Sequence, residues 1–477
     1  MSSQNNLKAL KKTFITTTII SLAGCASVNV NQSLERTNHE AAAFTQGKLQ
    51  LATSGAQRAT MKSSADALLQ NPLGQKEAVE VAITNSPAMQ TLIAQNWGNA
   101  AGAAQSGRIA NPVLTFERLR FMDELEIGRL LAFGLLDLFA LPRRYSIAQQ
   151  RIEQAQLQLT LETIEQVTDI RQAWVRAVAA EQILTYAKQV SGIAEASAEL
   201  ARRMQLVGNF NKLQRARQQA FYADAATQLA LASHAATAAR EGLVRVLGLT
   251  DDQATMLKIP DRLPELPSAP RDAQDVGSKA SKERLDVNIA KRSLDAMAKA
   301  QGLNLIMSFT DIELAVRRDT IFDNASGTSK SRRGYEVMIS LPVFDWGGMK
   351  RDAMGAQLLA SANHLESVVR AVGPNLRESY SSYRTTYDIA RHYRDEIVPL
   401  RKIIAEENVL RYNGMIIGVF ELLADARDQV GSVIAAINAQ RQFWLSDAAL
   451  QASIMGKPTM MPVGPMAPGM AGGGAAH

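Results

Sequence analysis

The chain has 477 residues, of which 46% are hydrophobic, 21% charged and only 5% aromatic, with a formal net charge of +6. That balance excludes a disordered chain and a polytopic helical membrane protein, which would show several apolar runs of ~18 residues or more. Three of the basic residues, Lys8, Lys11 and Lys12, sit in an N-terminal leader; the remaining charge is near balance and spread without blocks, so a nucleic-acid partner has no support.

Residues 1–24 join a basic stretch to the apolar run 14–22 and then to small residues, the layout of a secretory signal that is too short to span a bilayer. The single cysteine, Cys25, closes Leu22-Ala23-Gly24-Cys25. That tetrapeptide resembles the lipobox of bacterial lipoproteins, and the resemblance implies removal of residues 1–24 and acylation of the Cys25 thiol. Ala26, in place of an aspartate, implies passage to the outer membrane. Two or three acyl chains anchor firmly where one is marginal. Residues 25–72 read as a lipid-anchored extension.

Beyond it the chain repeats itself. Leu131-Ala132-Phe133-Gly134-Leu135-Leu136-Asp137 matches Ile339-Ser340-Leu341-Pro342-Val343-Phe344-Asp345, and the spacing of Gly208, Phe210, Leu213, Ala216 and Arg217 returns in Gly418, Phe420, Leu423, Ala426 and Arg427. Two matches at nearly one offset divide the chain into repeats over 73–259 and 280–454, joined by a linker over 260–279 whose four prolines forbid helix.

Each repeat reads as helix, strand, strand, long helix, turn, helix. An Ala-rich helix is expected from about Gln75 to Ile109, stopped by Pro112. Strands follow near 113–121 and 126–141, the second with Ile127, Leu131, Phe133 and Leu135 on one face, broken once by Arg129. Its counterpart alternates Tyr335, Val337, Ile339, Leu341 and Val343, and an apolar face at period two over ~9 to 11 residues suits a membrane barrel strand. The other pair of strands is weakly signalled, with a change of face at Asp311 after Leu305, Met307 and Phe309, and a half-buried strand of a soluble sheet is the alternative; the Gly/Ser/Lys/Arg-rich stretch 317–334 reads as an exposed loop. The long helices carry narrow apolar stripes stepping by three or four, from Ile164 through Trp174 to Met204 and from Val369 through Tyr380, Tyr383, Tyr387 and Tyr393 to Ile404. Such stripes are coiled-coil seams, and ~60 residues would make rods of roughly 90 Å. The four tyrosines read as seam packing.

With the lipobox and the twofold repeat, Asn111-Pro112, 341–348 (Leu-Pro-Val-Phe-Asp-Trp-Gly-Gly), Arg411-Tyr412-Asn413-Gly414 and the run Gly418 to Arg427 make the chain, over about residues 70 to 455, similar to the outer-membrane efflux protein family, the TolC-like channel lipoproteins. The resemblance implies a mainly α fold with a membrane β-barrel part. Antiparallel coiled-coil helices would form an α-barrel, and four strands per protomer would join a homotrimeric twelve-stranded barrel. It implies localisation in the outer membrane with a periplasmic helical extension. The partners implied are a periplasmic adaptor, an inner-membrane transporter and outer-membrane lipid, with no cofactor and with passive conduction of cargo. The turns after Gly208 and Gly418 become the tips that dock the adaptor, with Gly208, Phe210, Leu213, Gly418, Phe420 and Leu423 as contacts. Arg215 stands where the other repeat has Asp425; with Glu421, four residues before Asp425 on one helix face, these charges read either as a solvated face or as a pore gate. Arg284-Leu285-Asp286-Val287 departs from the family's Arg-Pro-Asp-Leu, which puts the local helix start in doubt.

Residues 455–477 read as a flexible tail holding Met455, Met460, Met461, Met466 and Met470 among Pro and Gly. Thioethers are soft ligands suited to Cu(I), so Met460, Met461 and Met466 are candidate ligands for copper or silver cargo, against the plainer reading of an incidental low-complexity tail and organic cargo. Enzyme chemistry has no footing: the five histidines lack metal-ligand spacing, and there is neither a phosphate-binding glycine loop nor a strand-to-helix elbow bearing a serine. A periplasmic adaptor would add β-rich modules, and a filamentous scaffold lipoprotein would lack apolar-faced strands.

Overall fold

The computed structural model describes residues 28–307, 312–341 and 343–458. Cys25, Phe309, Asp311, Met460, Met461, Met466 and Met470 lie outside them. Among the described residues the order is α1 (Val30–Glu40), α2 (Ala42–Thr45), α3 (Gly55–Leu69), α4 (Gln75–Asn85), α5 (Pro87–Ser106), β1 (Val113–Phe121), β2 (Glu124–Gly134), α6 (Leu135–Leu206), α7 (Lys212–Leu247), α8 (Asp251–Met256), α9 (Ala273–Glu283), α10 (Leu285–Met307), β3 (Ile312–Asp323), β4 (Thr328–Ile339), α11 (Gly348–His392), a π-helical turn (Tyr393–Ile397), α12 (Val398–Asn413) and α13 (Val419–Ile454). Two compact units emerge, and they cut across the sequence repeat. One takes Gln95–Gln158 and Val287–Val369, with a strand pair from each half; the other takes Asn31–Ala94, Leu159–Asp286 and the chain from Arg370 onward.

The first unit holds one antiparallel sheet in the order β1-β2-β3-β4. Each half supplies a hairpin, and the halves meet where β2 pairs β3, with Leu131 opposite Val316 and Phe133 opposite Leu314. The hairpins turn through Met122 (φ 49°) and Gly327 (φ 67°), and the N–H of Asn324 in one turn donates to the carbonyl of Asp123 in the other at 2.9 Å.

Several sequence expectations are corrected here. The helix expected over 75–109 is two, broken at Ser86, because Pro87 cannot donate a backbone hydrogen bond and takes the first position of α5. The strand expected to reach Leu141 ends at Gly134; Leu135 opens α6, whose first turn carries Asp137, bonded by Arg144 at 2.6 Å. A short apolar run reads equally well as strand or helix, and the acidic residue at the first turn favours the helix. The stretch around Leu305 and Met307 is the end of α10, and the supposed loop 317–334 is most of β3 and β4. Its charges resemble a loop because a pattern along one chain does not show that Arg317 and Arg332 join carboxylates of all four strands in one network.

In the second unit, α1 and α2 of the extension meet α6, and α3 packs on α4. The Trp174 indole N–H donates to the Leu73 carbonyl at 2.7 Å, and the Arg171 guanidinium lies 4.8 Å over the Phe44 ring. The proline linker is extended only to Arg271, because Asp272 caps α9 through the N–H groups of Gln274 and Asp275. Its carbonyls are bonded by long-helix side chains. The Tyr387 hydroxyl donates to Pro267 (3.1 Å) and Ser268 (3.2 Å), Tyr380 to Arg271 (3.1 Å), and Trp444 and Gln440 to Pro264 (3.0 and 2.6 Å). Tyr383 accepts from the Arg271 N–H at 3.0 Å, and burial pushes its hydroxyl above the ordinary phenol range. Beneath the linker Tyr383, Tyr387, Phe443 and Leu450 are fully buried with Leu266 and Val276. The seam tyrosines therefore pack as expected and also hold the linker.

The departure from the proline-bearing pattern leaves the helix start in place. Arg284 has an extended ψ of 115°, clasps Asp286 and is 5% exposed, and the Leu285 N–H donates to the Met455 carbonyl at 3.0 Å. Met455 is itself buried, and Lys457 pairs with Glu165 at 2.8 Å, so these residues belong to the folded unit and not to the tail.

Candidate functional site

The sheet has two chemically opposite faces, because paired residues of an antiparallel ladder share a side. On one face Arg317 bonds Asp319 (2.9 Å), Glu336 (3.2 Å) and Glu117 (3.4 Å), while Arg332 bonds Asp319 (3.1 Å) and Glu126 (2.8 Å). Asp319, 1% exposed, is shared by both arginines over Gly128, where a side chain would meet Asp319 and Glu117. Periodicity had missed this network, since it joins all four strands. The opposite face carries Leu114, Leu131, Val316 and Tyr335 in one row and Phe133, Leu314 and Val337 in the next. Exposed Leu341, Val343, Phe344 and Trp346 follow β4 in the chain. Both edges of the sheet, β1 and β4, are open in the single chain. No described helix is long and apolar enough to cross a membrane, and the described residues contain no cluster of three His, Cys, Asp or Glu fit for a metal.

The tips lie in the second unit, at the α6–α7 and α12–α13 turns. Each helix ends in the same hydrogen-bonded motif. After α6 the Gly208 N–H donates to Gln205 (3.1 Å) and the Asn209 N–H to Met204 (2.9 Å); after α12 the Met415 N–H donates to Tyr412 and the Ile416 N–H to Arg411, both at 2.9 Å. The left-handed residue is Gly208 (φ 81°) in the first turn and Met415 (φ 58°) in the second. Gly418, the sequence match of Gly208, is instead the extended N-cap of α13 (φ −82°), structurally equivalent to Asn211, which caps α7 with Gln214. The second returning helix therefore begins about one turn earlier relative to the sequence match. Phe210 precedes its helix and Phe420 lies inside its own, and their rings meet at 4.6 Å between centroids. The turns expose Leu206, Val207, Leu213, Met415 and Ile416; Met415 is 93% exposed. Leu423 is half-buried.

Of the charges expected at a gate, Arg215 donates to Gln205 at 2.7 Å within its own hairpin, Asp425 accepts from Asn408 across α12 and α13, and Glu421 is exposed. Asn408 was not foreseen, nor was Arg427 over the Phe221 ring at 5.2 Å, which links α13 to α7. Near the end of α6, hydrogen bonds from Arg202 and Arg203 bring the Glu199 carboxyl down to about 2.

A mainly helical chain whose two repeats contribute hairpins to one antiparallel sheet has the fold of outer-membrane channels. The outer-membrane channel OprN matches with a TM-score of 0.65 at 16% identity, over 91% of this chain and 96% of that one. The Campylobacter jejuni CmeC outer membrane channel matches at 0.64 and 12% (83% and 86%), and the outer membrane protein VceC of Vibrio cholerae at 0.63 and 14% (83% and 97%). No protein-family model and no curated protein matches the sequence. At such identities the likeness establishes the fold, and it is the fold that the sequence resemblance implied.

Proposed function

We propose that this protein is the outer-membrane duct of a tripartite efflux system. Three copies close a twelve-stranded barrel, the helical hairpins extend it into the periplasm, and cargo is conducted passively from an inner-membrane transporter through a periplasmic adaptor. The observation that carries this reading is the four-stranded sheet with two open edges, one apolar face and one face of paired charges. An open edge in lipid leaves unsatisfied backbone groups, so a sheet that enters a membrane must close with other copies. The apolar face then meets lipid and the ion-paired face lines water. Purified protein is expected to run as a heat-labile trimer and to give conductance steps in planar bilayers. A monomer that conducts nothing after reconstitution sinks the proposal.

The tip residues Gly208, Phe210, Leu213, Gly418, Phe420 and Leu423 are proposed as the adaptor contact, supported by the exposed apolar side chains around the Phe210–Phe420 pair. Arg215, Glu421 and Asp425 are proposed to hold the aperture narrow between neighbouring copies. Asp425→Ala or Arg215→Ala should raise conductance or sensitise cells to large antibiotics; unchanged values in both, at normal trimer levels, would leave these charges structural. Acylation of Cys25 is proposed from the leader, and labelling by a fatty-acid analogue that persists in Cys25→Ser removes it. Copper or silver as cargo rests on the thioethers Met460, Met461 and Met466 alone; metal tolerance unaltered by ending the chain after Gly456 favours organic cargo.

A further inference from the structure

The apolar face of the sheet carries a second set of arginines that the duct does not use. Arg129, Arg318 and Arg333 stand directly opposite one another across β2, β3 and β4, in the row next to Leu131, Val316 and Tyr335. Arg118 and Arg120 continue the set on β1, toward the hairpin turns. All five are exposed and none forms an ion pair among the described residues, whereas Arg317 and Arg332 on the other face are paired several times over. The register explains the asymmetry. Every carboxylate of the four strands, from Glu117 and Glu124 to Asp323 and Glu336, falls on the paired face, and the arginine face has none. A neighbouring copy joined edge to edge brings no strand carboxylate to this row, because the same face of its strands carries none. The strands of the sheet therefore leave the row without a counter-charge.

Depth identifies its source. At a rise of ~3.3 Å per residue and a tilt of about 40°, Arg333 lies roughly 20 Å along the membrane normal from Leu341, so the row caps an apolar band close to the ~25 Å height of a barrel's lipid-facing surface. An arginine is costly at the middle of that band and tolerable at its border, where its planar fork can take two phosphate oxygens at once. We propose that Arg118, Arg129, Arg318 and Arg333 form a belt that binds the phosphate groups of phosphorylated glycolipid headgroups in the leaflet on the hairpin-turn side. This rests on the reading of the sheet as a membrane barrel. Alternating apolar rows and a phosphate-binding row would fix the depth of the barrel.

The test uses the full-length protein in detergent and in nanodiscs, with the bisphosphorylated glycolipid of the outer leaflet as probe and its dephosphorylated form as control. Native mass spectrometry of the wild-type trimer is expected to show the phosphorylated lipid retained, and heat-induced dissociation of the trimer to be delayed by it and not by the control. The fourfold Arg→Gln variant at 118, 129, 318 and 333 should retain at least fivefold less lipid while conducting as wild type. The double variant Arg318→Gln/Arg333→Gln serves if the fourfold one does not assemble, and Arg→Lys at the same two positions should restore partial retention. A conducting wild type that retains both lipids alike, or conducting Gln variants that retain as much as wild type, overturns the belt and leaves the channel reading standing. A wild type that neither trimerises nor conducts removes the channel reading and the belt with it.

Discussion

Within one unit the linker clamp and the helical tips use aromatic side chains in opposite ways. Under the linker, Tyr383, Tyr387 and Phe443 are fully buried, ring against ring at 5.6 and 5.7 Å, and tyrosine hydroxyls satisfy linker carbonyls that proline-rich chain cannot bond to itself. At the tips a single ring pair, Phe210 and Phe420, joins two hairpins that otherwise expose Val207, Leu213, Met415 and Ile416. The clamp is finished as a fold, while the tips leave apolar surface that folding has not used. The difference separates a place where sequence changes cost stability from one where they should change association.

Clamp and tips differ most at Phe443. Phe443→Ala empties the centre of the clamp and should cost about 3–5 kcal/mol by denaturation, whereas Phe420→Ala should cost about 1 kcal/mol and act on adaptor binding instead. A similar loss at both positions would mean that the tips are as much core as the clamp. Tyr387→Phe is a milder probe of the clamp, expected to cost roughly 1–2 kcal/mol because the carbonyls of Pro267 and Ser268 lose their donor.

A finer contrast lies between the two turns, which share one backbone motif with different residues. Gly208→Ala puts a side chain at φ 81° and should destabilise its turn by about 1–2 kcal/mol, while Met415→Gly relieves a left-handed non-glycine and should slow amide exchange at Ile416. Faster exchange there would show that the exposed methionine is held by contacts worth more than the strain.

The smallest effect is the pH response near the first tip. The Glu199 carboxyl sits at about 2 in the folded chain, below its ordinary 4.5, through its bonds to Arg202 and Arg203. Its contribution is therefore present above about pH 4.5 and lost as pH falls toward 2. Carboxyl titration by NMR should place the midpoint below 4.5, and Glu199→Gln should lower neutral-pH stability only slightly because the pairs are solvent-exposed. A midpoint near 4.5 would mean that the two arginines do not hold it in solution.

The twofold plan, the extent of β1, the long helices and the two turns were legible because each is a local pattern. Apolar residues at steps of three or four declare a helix, and prolines and glycines mark its ends. Misreadings arose where two local patterns were equally good. Leu135 to Leu141 is a short apolar run that suits a strand as well as a helix, and Asp137 with Arg144 settles it as the first turns of α6. The run 317–334 looks like a loop because, besides the shared Asp319, Arg317 and Arg332 reach carboxylates outside the run, up to 206 residues away in the case of Arg332 and Glu126.

The amino-acid sequence alone determined the twofold repeat, the long helices and the proline linker, since propensity, period and punctuation act within a few residues, and its motifs carried the resemblance to outer-membrane channels. Only the tertiary structure decided that both hairpins share one sheet, that every strand carboxylate falls on one face and Arg118, Arg120, Arg129, Arg318 and Arg333, without an ion pair among the described residues, on the other, and that Phe210 meets Phe420. Those facts depend on strand register and helix phase. A shift of one residue in register would move every side chain to the opposite face, and no local pattern reports the register between segments two hundred residues apart.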